Sequence, residues 1–323
     1  MRADERRTDE QRTLEGDRAD DAVAEAARRT TSRRSLGRHP GFEQVSPEVG
    51  RLDEEALADQ LRDDPDEAMA LLADLTGATD VALRELARRL AGRLVLDVAR
   101  RGPARRRGVG RLRLVPADRS TGELEPERGL DAVAAARARG AAPPLDELRS
   151  REWARPGSAL CLLVDRSGSM GGERLATAAV AAAACLWRAP DTTSVVAFGD
   201  DAIVLDSPTR HRPVEEVVDD LFTLRGHGPT DLALALRTAR RLLEAAPPGA
   251  RRTTLLLSDG RATKGDDPVP EAAALDELLV LGPGSDSEEA ERLATASGGR
   301  WARVDGPGSV PGAVASLLDD QPA

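Results

Sequence analysis

Beyond residue 157 the chain alternates between short apolar runs and amphipathic stretches. Residues 159–164 form a continuous apolar run between Gly157 and a polar loop that opens at Asp165. Such a run reads as a strand buried on both faces of a parallel sheet. An Ala-rich helix is predicted from about residue 173 to 187. Residues 193–199 read as the next strand, Asp200 and Asp201 as a hairpin-like turn, and 202–205 as the returning strand. Val214, Val217, Val218 and Leu221 mark one amphipathic helix, and Leu232, Leu236, Ala239 and Leu243 mark another. Further strands are expected at 252–260, 275–281 and 300–304, the last at an edge, with helices at 285–297 and 309–318. Strands alternating with helices predict an α/β layered fold built on a mainly parallel sheet.

The first half reads differently. Residues 1–47 mix Arg with Asp and Glu and hold very few large apolar groups, so the segment is expected to stay a disordered charged tail. Residues 48–150 are predicted to be a helical region with a basic linker, a small bundle or arm, and 151–323 the α/β domain. Asp64 and Pro65 mark a helix start, with Met69, Leu72 and Leu75 on its buried side. Thr79 or Asp80 is placed to cap a longer helix presenting Leu83, Leu86, Leu90 and Leu94 on one face. Residues 111–115 alternate as a short strand, 130–139 read as a helix, and 145–153 as a connector. Seven arginines and no acid lie between Arg100 and Arg113, either a solvated linker or a docking patch for an acidic partner or a phosphate.

Composition narrows the function classes. A formal charge of -10 speaks against general nucleic-acid binding. Aromatics are only 2% of 323 residues, so the core must be aliphatic. Cys161 and Cys185 fall in predicted buried elements and read as core residues. No apolar run suits a signal peptide or a membrane-spanning helix, and a cytoplasmic protein is expected.

The chemistry concentrates where the first central strand ends. Asp165, Ser167 and Ser169 put three short oxygen side chains at alternate positions. Mg²⁺ takes about six oxygen ligands and keeps some of its water, so this pattern suits it, with Mn²⁺ as an alternative ion. The neutral hydroxyls leave such an ion electrophilic, and the following helix N-terminus adds positive potential. Ligands of parallel sheets bind beyond the carboxyl ends of the strands, where the strand order reverses. Two later residues reach for the same edge. Thr230 stands at a helix start, where it reads equally as an N-cap, and Asp259 lies at the end of the strand at 252–260, where it reads equally as a turn former.

Together, Asp165-x-Ser167-x-Ser169, Gly228-Pro229-Thr230-Asp231-Leu232 and Ser258-Asp259-Gly260 resemble the metal-ion-dependent adhesion site of the von Willebrand factor A domain. The resemblance covers about residues 155–319 and implies a Rossmann-like fold. It implies that Ser167 and Ser169 ligate the ion directly and Thr230 directly or through water. Asp165 and Asp259 would sit mostly behind bridging waters, and a partner's acidic residue would complete the shell. Pro229 stands where the family often has Gly, which stiffens the Thr230 loop. A helical region ahead of such a domain is similar to the CoxE-like proteins, which work with MoxR-type AAA+ ATPases. It is also similar to the integrin-like part of the magnesium chelatase D subunit. Gly260-Arg261-Ala262-Thr263 resembles the corresponding loop of both groups.

The resemblance implies a non-catalytic, Mg²⁺-dependent binding subunit of a MoxR-type ATPase that remodels a client or inserts its metallocofactor. A magnesium chelatase D-like role in tetrapyrrole metallation is the alternative. A Mg²⁺-dependent phosphoryl hydrolase of the haloacid dehalogenase type is a third reading. It wants a second acid where Ser167 stands and a phosphate-holding lysine, for which Lys264 is the sole lysine in the chain. His227 neighbours the Thr230 loop, but imidazole is a poor ligand for Mg²⁺.

Overall fold

The computed structural model describes residues 9–101, 111–117, 123–144, 148–154, 158–166, 171–189, 192–226, 228–284 and 287–319. Two compact units emerge. The larger joins residues 1–105, 158–246 and 252–323, and the smaller joins 106–157 with 247–251.

The larger unit begins with strand β1 (Thr13–Leu14) and helices α1 (Asp17–Ala27), α2 (Arg33–Leu36), α3 (Phe42–Val45), α4 (Glu54–Asp63), α5 (Pro65–Leu75) and α6 (Val81–Arg100). The smaller unit holds β2 (Arg111–Pro116), β3 (Glu123–Leu124), α7 (Pro126–Ala138) and β4 (Arg149–Ala154). The larger unit resumes with β5 (Ser158–Asp165), α8 (Gly172–Arg188), β6 (Thr193–Phe198), β7 (Ala202–Asp206), α9 (Val214–Thr223) and α10 (Leu232–Glu244). It ends with β8 (Arg251–Leu257), α11 (Pro268–Ala273), β9 (Leu278–Pro283), α12 (Glu288–Ala296), β10 (Arg300–Val304) and α13 (Val310–Asp319).

Among the described residues the main sheet has seven strands in the order β1-β7-β6-β5-β8-β9-β10. The β5–β6, β8–β9, β9–β10 and β1–β7 pairs are parallel, and the β6–β7 hairpin is antiparallel. This is the expected mixed, mainly parallel sheet. Alternation along β5 divides the core: Leu160, Leu162 and Val164 face one apolar cluster, and Ala159, Cys161 and Leu163 the other. On the first face α8 is packed by α5, α6, α9 and α13. Its alanines let those helices approach closely. A Cβ on Gly172 would sit 2.1 Å from the Ala70 carbonyl oxygen, so α5 rests directly on the start of α8. On the second face lie α10, α11 and α12.

The first half differs from its sequence reading. Residues 9–47, expected to be a disordered tail, are ordered: β1 extends the sheet edge, and Leu36, Phe42 and Val45 are buried. The segment has too few apolar groups to fold alone, but it borrows the apolar surface of the helices beneath it. Helices α4, α5 and α6 are neither a separate bundle nor an arm; they belong to the same unit as the sheet. Asp80, not Thr79, caps α6 by accepting from the Leu83 amide at 2.9 Å. The connector at 145–153 becomes β4, the centre of a β2-β4-β3 antiparallel sheet, so the main unit resumes at Ser158 rather than at 151. The 111–115 strand and the 130–139 helix are present as β2 and α7. Most of the basic patch, 102–110, lies outside the described residues.

Candidate metal centre

The sheet order reverses between β5 and β8. The chain leaves β5 toward β6 on one side and later returns to place β8 on the other. The carboxyl ends of these two strands therefore form the crevice in which α/β sheets bind ligands. Asp165 ends β5 and is 5% exposed; Ser258 and Asp259 follow β8. The Ser258 hydroxyl donates to Asp165 Oδ2 at 2.6 Å and accepts from the Gly260 amide at 3.0 Å. Asp259 Oδ1 accepts from the Arg261 amide at 3.1 Å, and its Oδ2 lies 3.7 Å from the Arg174 guanidinium.

Asp165 and Asp259 line one cavity of about 330 Å³, together with Glu173, Arg174 and Thr177 of α8, Arg303 of β10 and Asp305 just after it. Thr230 reaches the same edge through the loop that follows Asp259. Its carbonyl accepts from the amides of Thr263 and Lys264 at 3.0 and 3.1 Å, and its amide donates to Thr263 Oγ1 at 2.8 Å. The Asp231 amide donates to the Gly199 carbonyl at 2.8 Å, which joins this loop to the end of β6. Three loops distant in sequence thus converge on one rim of the sheet.

Asp165, Thr230 and Asp259 are brought to that rim. Ser167 and Ser169 lie outside the described residues, as does His227. Thr230 is not the helix cap. Asp231 caps α10, its Oδ1 accepting from the Leu234 amide at 3.0 Å. The cap reading of the threonine falls away, and a buried hydroxyl remains that helix geometry does not require. Two carboxylates and a hydroxyl make an all-oxygen donor set, the kind that hard divalent ions take. Among the described residues no group of three or more His, Cys, Asp or Glu is placed to hold a metal. The donors that are described, the Asp165 and Asp259 carboxylates and the Thr230 hydroxyl, are oxygens of the kind such an ion takes.

Sequence reading quoted Ser258 and Thr263 within its motifs without giving either a role, and it missed Arg174. Ser258 and Thr263 flank Asp259 within a polar loop, and nothing in their spacing marks them as the clasps between loops. Arg174 sits in the first turn of the helix that begins at Gly172. Of the neighbouring acids, Asp200 is held below the usual carboxylate range, first by a hydrogen bond from Lys264 and further by Arg12.

Residues 160–261 match the family model of the von Willebrand factor type A domain. No curated protein matches the chain. Among solved structures, proximal thread matrix protein 1 from the mussel byssus, with a zinc-occupied MIDAS motif, aligns at 17% identity and a TM-score of 0.43. That alignment covers 51% of this chain and 47% of the mussel chain. A von Willebrand factor type A protein from Catenulispora acidiphila aligns at 19% identity and a TM-score of 0.40, covering 50% of this chain and 42% of that one. An aerotolerance-related membrane protein from Bacteroides fragilis aligns at 19% identity and a TM-score of 0.41, covering 51% of this chain and all of that one. The chain spans less than half the length of the mussel and Catenulispora proteins. Residues 160–261 are thus similar to a von Willebrand factor type A domain, and the chain around them folds as a Rossmann-like, mainly parallel sheet between layers of helices.

Proposed function

We propose that the rim of the sheet is a Mg²⁺-dependent protein-binding site and that the chain is a non-catalytic, cytoplasmic accessory subunit of a MoxR-type AAA+ ATPase. The observation that carries the reading is the convergence of Asp165, Thr230 and Asp259 through the Ser258 and Thr263 clasps. In this reading Ser167, Ser169 and Thr230 offer hydroxyl oxygens to the ion, and Asp165 and Asp259 hold its waters. A bound Mg²⁺, or Mn²⁺ in its place, supplies an electrophilic centre for a carboxylate of the partner protein.

The chain's own residues do the positioning. Ser258 fixes one oxygen of Asp165, so the carboxylate cannot rotate away from the rim. The Arg261 amide orients Asp259 in the same way. The Arg174 guanidinium beside Asp259 tempers the acidity of the cavity, which otherwise repels an acidic visitor. The sequence holds no Walker A motif, which favours a partner as the source of ATP hydrolysis. Among the described residues no helix is long and apolar enough to cross a membrane.

The test is a pull-down of a purified MoxR-type ATPase by the full chain. Retention in Mg²⁺, release by EDTA and no retention by Ser167→Ala support the reading. Retention that ignores both EDTA and the variant removes it.

A further inference from the structure

The segment before α1 is bound into the loop that carries Thr230. Strand β1 pairs with β7, Thr13 opposite Ala202 and Leu14 opposite Ile203, and Thr13 Oγ1 lies 3.3 Å from Thr238 Oγ1 on α10. Ion pairs hold the same segment along its length: Asp9 with Arg237 at 2.6 Å, Glu15 with Arg241, and Asp20 with Arg210 at 2.6 Å. These three fasten the segment to the sheet edge and to α10. Arg12 does something else. Its guanidinium donates to Asp231 Oδ2 at 2.8 Å, to Asp200 Oδ1 at 3.0 Å and to the Asp200 backbone carbonyl.

Asp231 follows Thr230 directly and is 1% exposed. One of its oxygens caps α10 and the other takes Arg12. Gly265 packs against the same carboxylate, where a Cβ would come within 2.3 Å of Oδ1. Asp200 is shared in turn with Lys264, whose amide, with that of Thr263, holds the Thr230 carbonyl. One network therefore closes around the threonine from three sides: the 263–265 loop, the β6–β7 turn and residue 12 of the N-terminal segment. Burial disfavours the Arg12 charge, but the hydrogen bond and charge of Asp231 outweigh it and hold its pKa above the ordinary value. Without the guanidinium, the buried Asp231 carboxylate loses its cationic partner and faces Asp200 across the turn. A buried charge stripped of its partner moves or drags its neighbours toward water.

We propose that Arg12 is a positioning residue for Thr230, acting through Asp231 219 residues away in sequence, so that the N-terminal segment sets how tightly the rim holds its divalent ion. The inference rests on the reading of Thr230 as a metal oxygen. It gives residues 9–27 a role in the site that their composition does not announce. A partner that peels the segment from β7 would loosen the metal site at the same time.

The test is Mn²⁺ titration of the full chain by calorimetry, with thermal melting of each variant. Arg12→Gln is compared with Asp9→Asn, which breaks another ion pair of the same segment away from Asp231. Expected is an affinity at least tenfold weaker in Arg12→Gln and within twofold of wild type in Asp9→Asn, with Arg12→Lys intermediate. Equal affinities in Arg12→Gln and wild type overturn the proposal. So do equal losses in Arg12→Gln and Asp9→Asn, which mark a general loosening of the segment. Should Arg12→Gln melt below the assay temperature, Arg12→Lys decides: weaker binding at an unchanged melting temperature supports the proposal, and unchanged binding overturns it. Failure of the wild-type chain to bind Mn²⁺ is a different result, because it removes the metal site itself and the inference with it.

Discussion

Asp231 and Thr230 are adjacent, and the sequence permits either to start α10. The structure assigns the cap to Asp231, whose carboxylate accepts from the Leu234 amide. The two residues should therefore separate cleanly under mutation. Asp231→Ala removes a cap, for which about 0.5–2 kcal/mol is usual, and also takes one of two carboxylate partners from Arg12, so urea unfolding should show a loss toward the upper end of that range. Thr230→Ser keeps the hydroxyl and should keep metal binding, whereas Thr230→Ala should lose it with a smaller fall in stability than Asp231→Ala. The opposite order of stabilities would return the cap to the threonine. That Asp165 and Asp259 stand at strand ends was legible, because oxygen side chains after apolar runs are visible in one dimension. The clasps were not: Ser258, Thr263 and Arg12 act on partners tens to hundreds of positions away, and no local spacing reveals such pairs.

At the scale of elements, β5, β6, β7, α8 and α10 were legible because apolar period and length agree along each. The hydrophobic runs of β5 and β6 are buried throughout except at Ser158. The alternating order also gave the mainly parallel sheet, whereas the place where its strand order reverses came only from the structure. What could not be read was the closeness of α5 to α8, which depends on a single missing side chain. Gly172→Ala should gain helix propensity of up to about 1 kcal/mol. It also drives a methyl to within 2.1 Å of the Ala70 carbonyl. Overpacking of this kind costs about 1–3 kcal/mol, so a net loss is expected in denaturant unfolding. A variant as stable as wild type would mean that α5 can shift at no cost. The buried cysteines make a second check at this scale. Cys161 on β5 and Cys185 on α8 are fully buried, and burial pushes both thiols up to about 12. Neither should react with a thiol-directed reagent at pH 8 in the native protein, and both should react in denaturant. Fast native labelling of either would place it at the surface.

Across the whole molecule, the reading of residues 1–47 as a tail failed for 9–47 because it weighed the segment alone. Its few apolar side chains, Leu36, Phe42 and Val45 among them, complete a core supplied by other elements, and its charges find partners in the turn after β7 and on α10. Trypsin tests this directly, since the segment is rich in arginine. Limited digestion of the native chain should spare the bonds after Arg12, Arg18 and Arg33, whereas a disordered tail is cut there within the first minutes. The same lesson applies to the domain borders. Helices α4 to α6 were assigned to a region of their own by their helical period, yet α5 and α6 pack on α8 and share the main core.

The central claim is that hydroxyls and carboxylates at the carboxyl ends of β5 and β8 hold a divalent ion. The most direct measurement is Mg²⁺ binding by calorimetry to the full chain and to the Ser167→Ala/Ser169→Ala double variant. Saturable binding of one ion by the wild type, absent from a double variant that melts at the same temperature, is the predicted result. A double variant that binds Mg²⁺ like the wild type would contradict it.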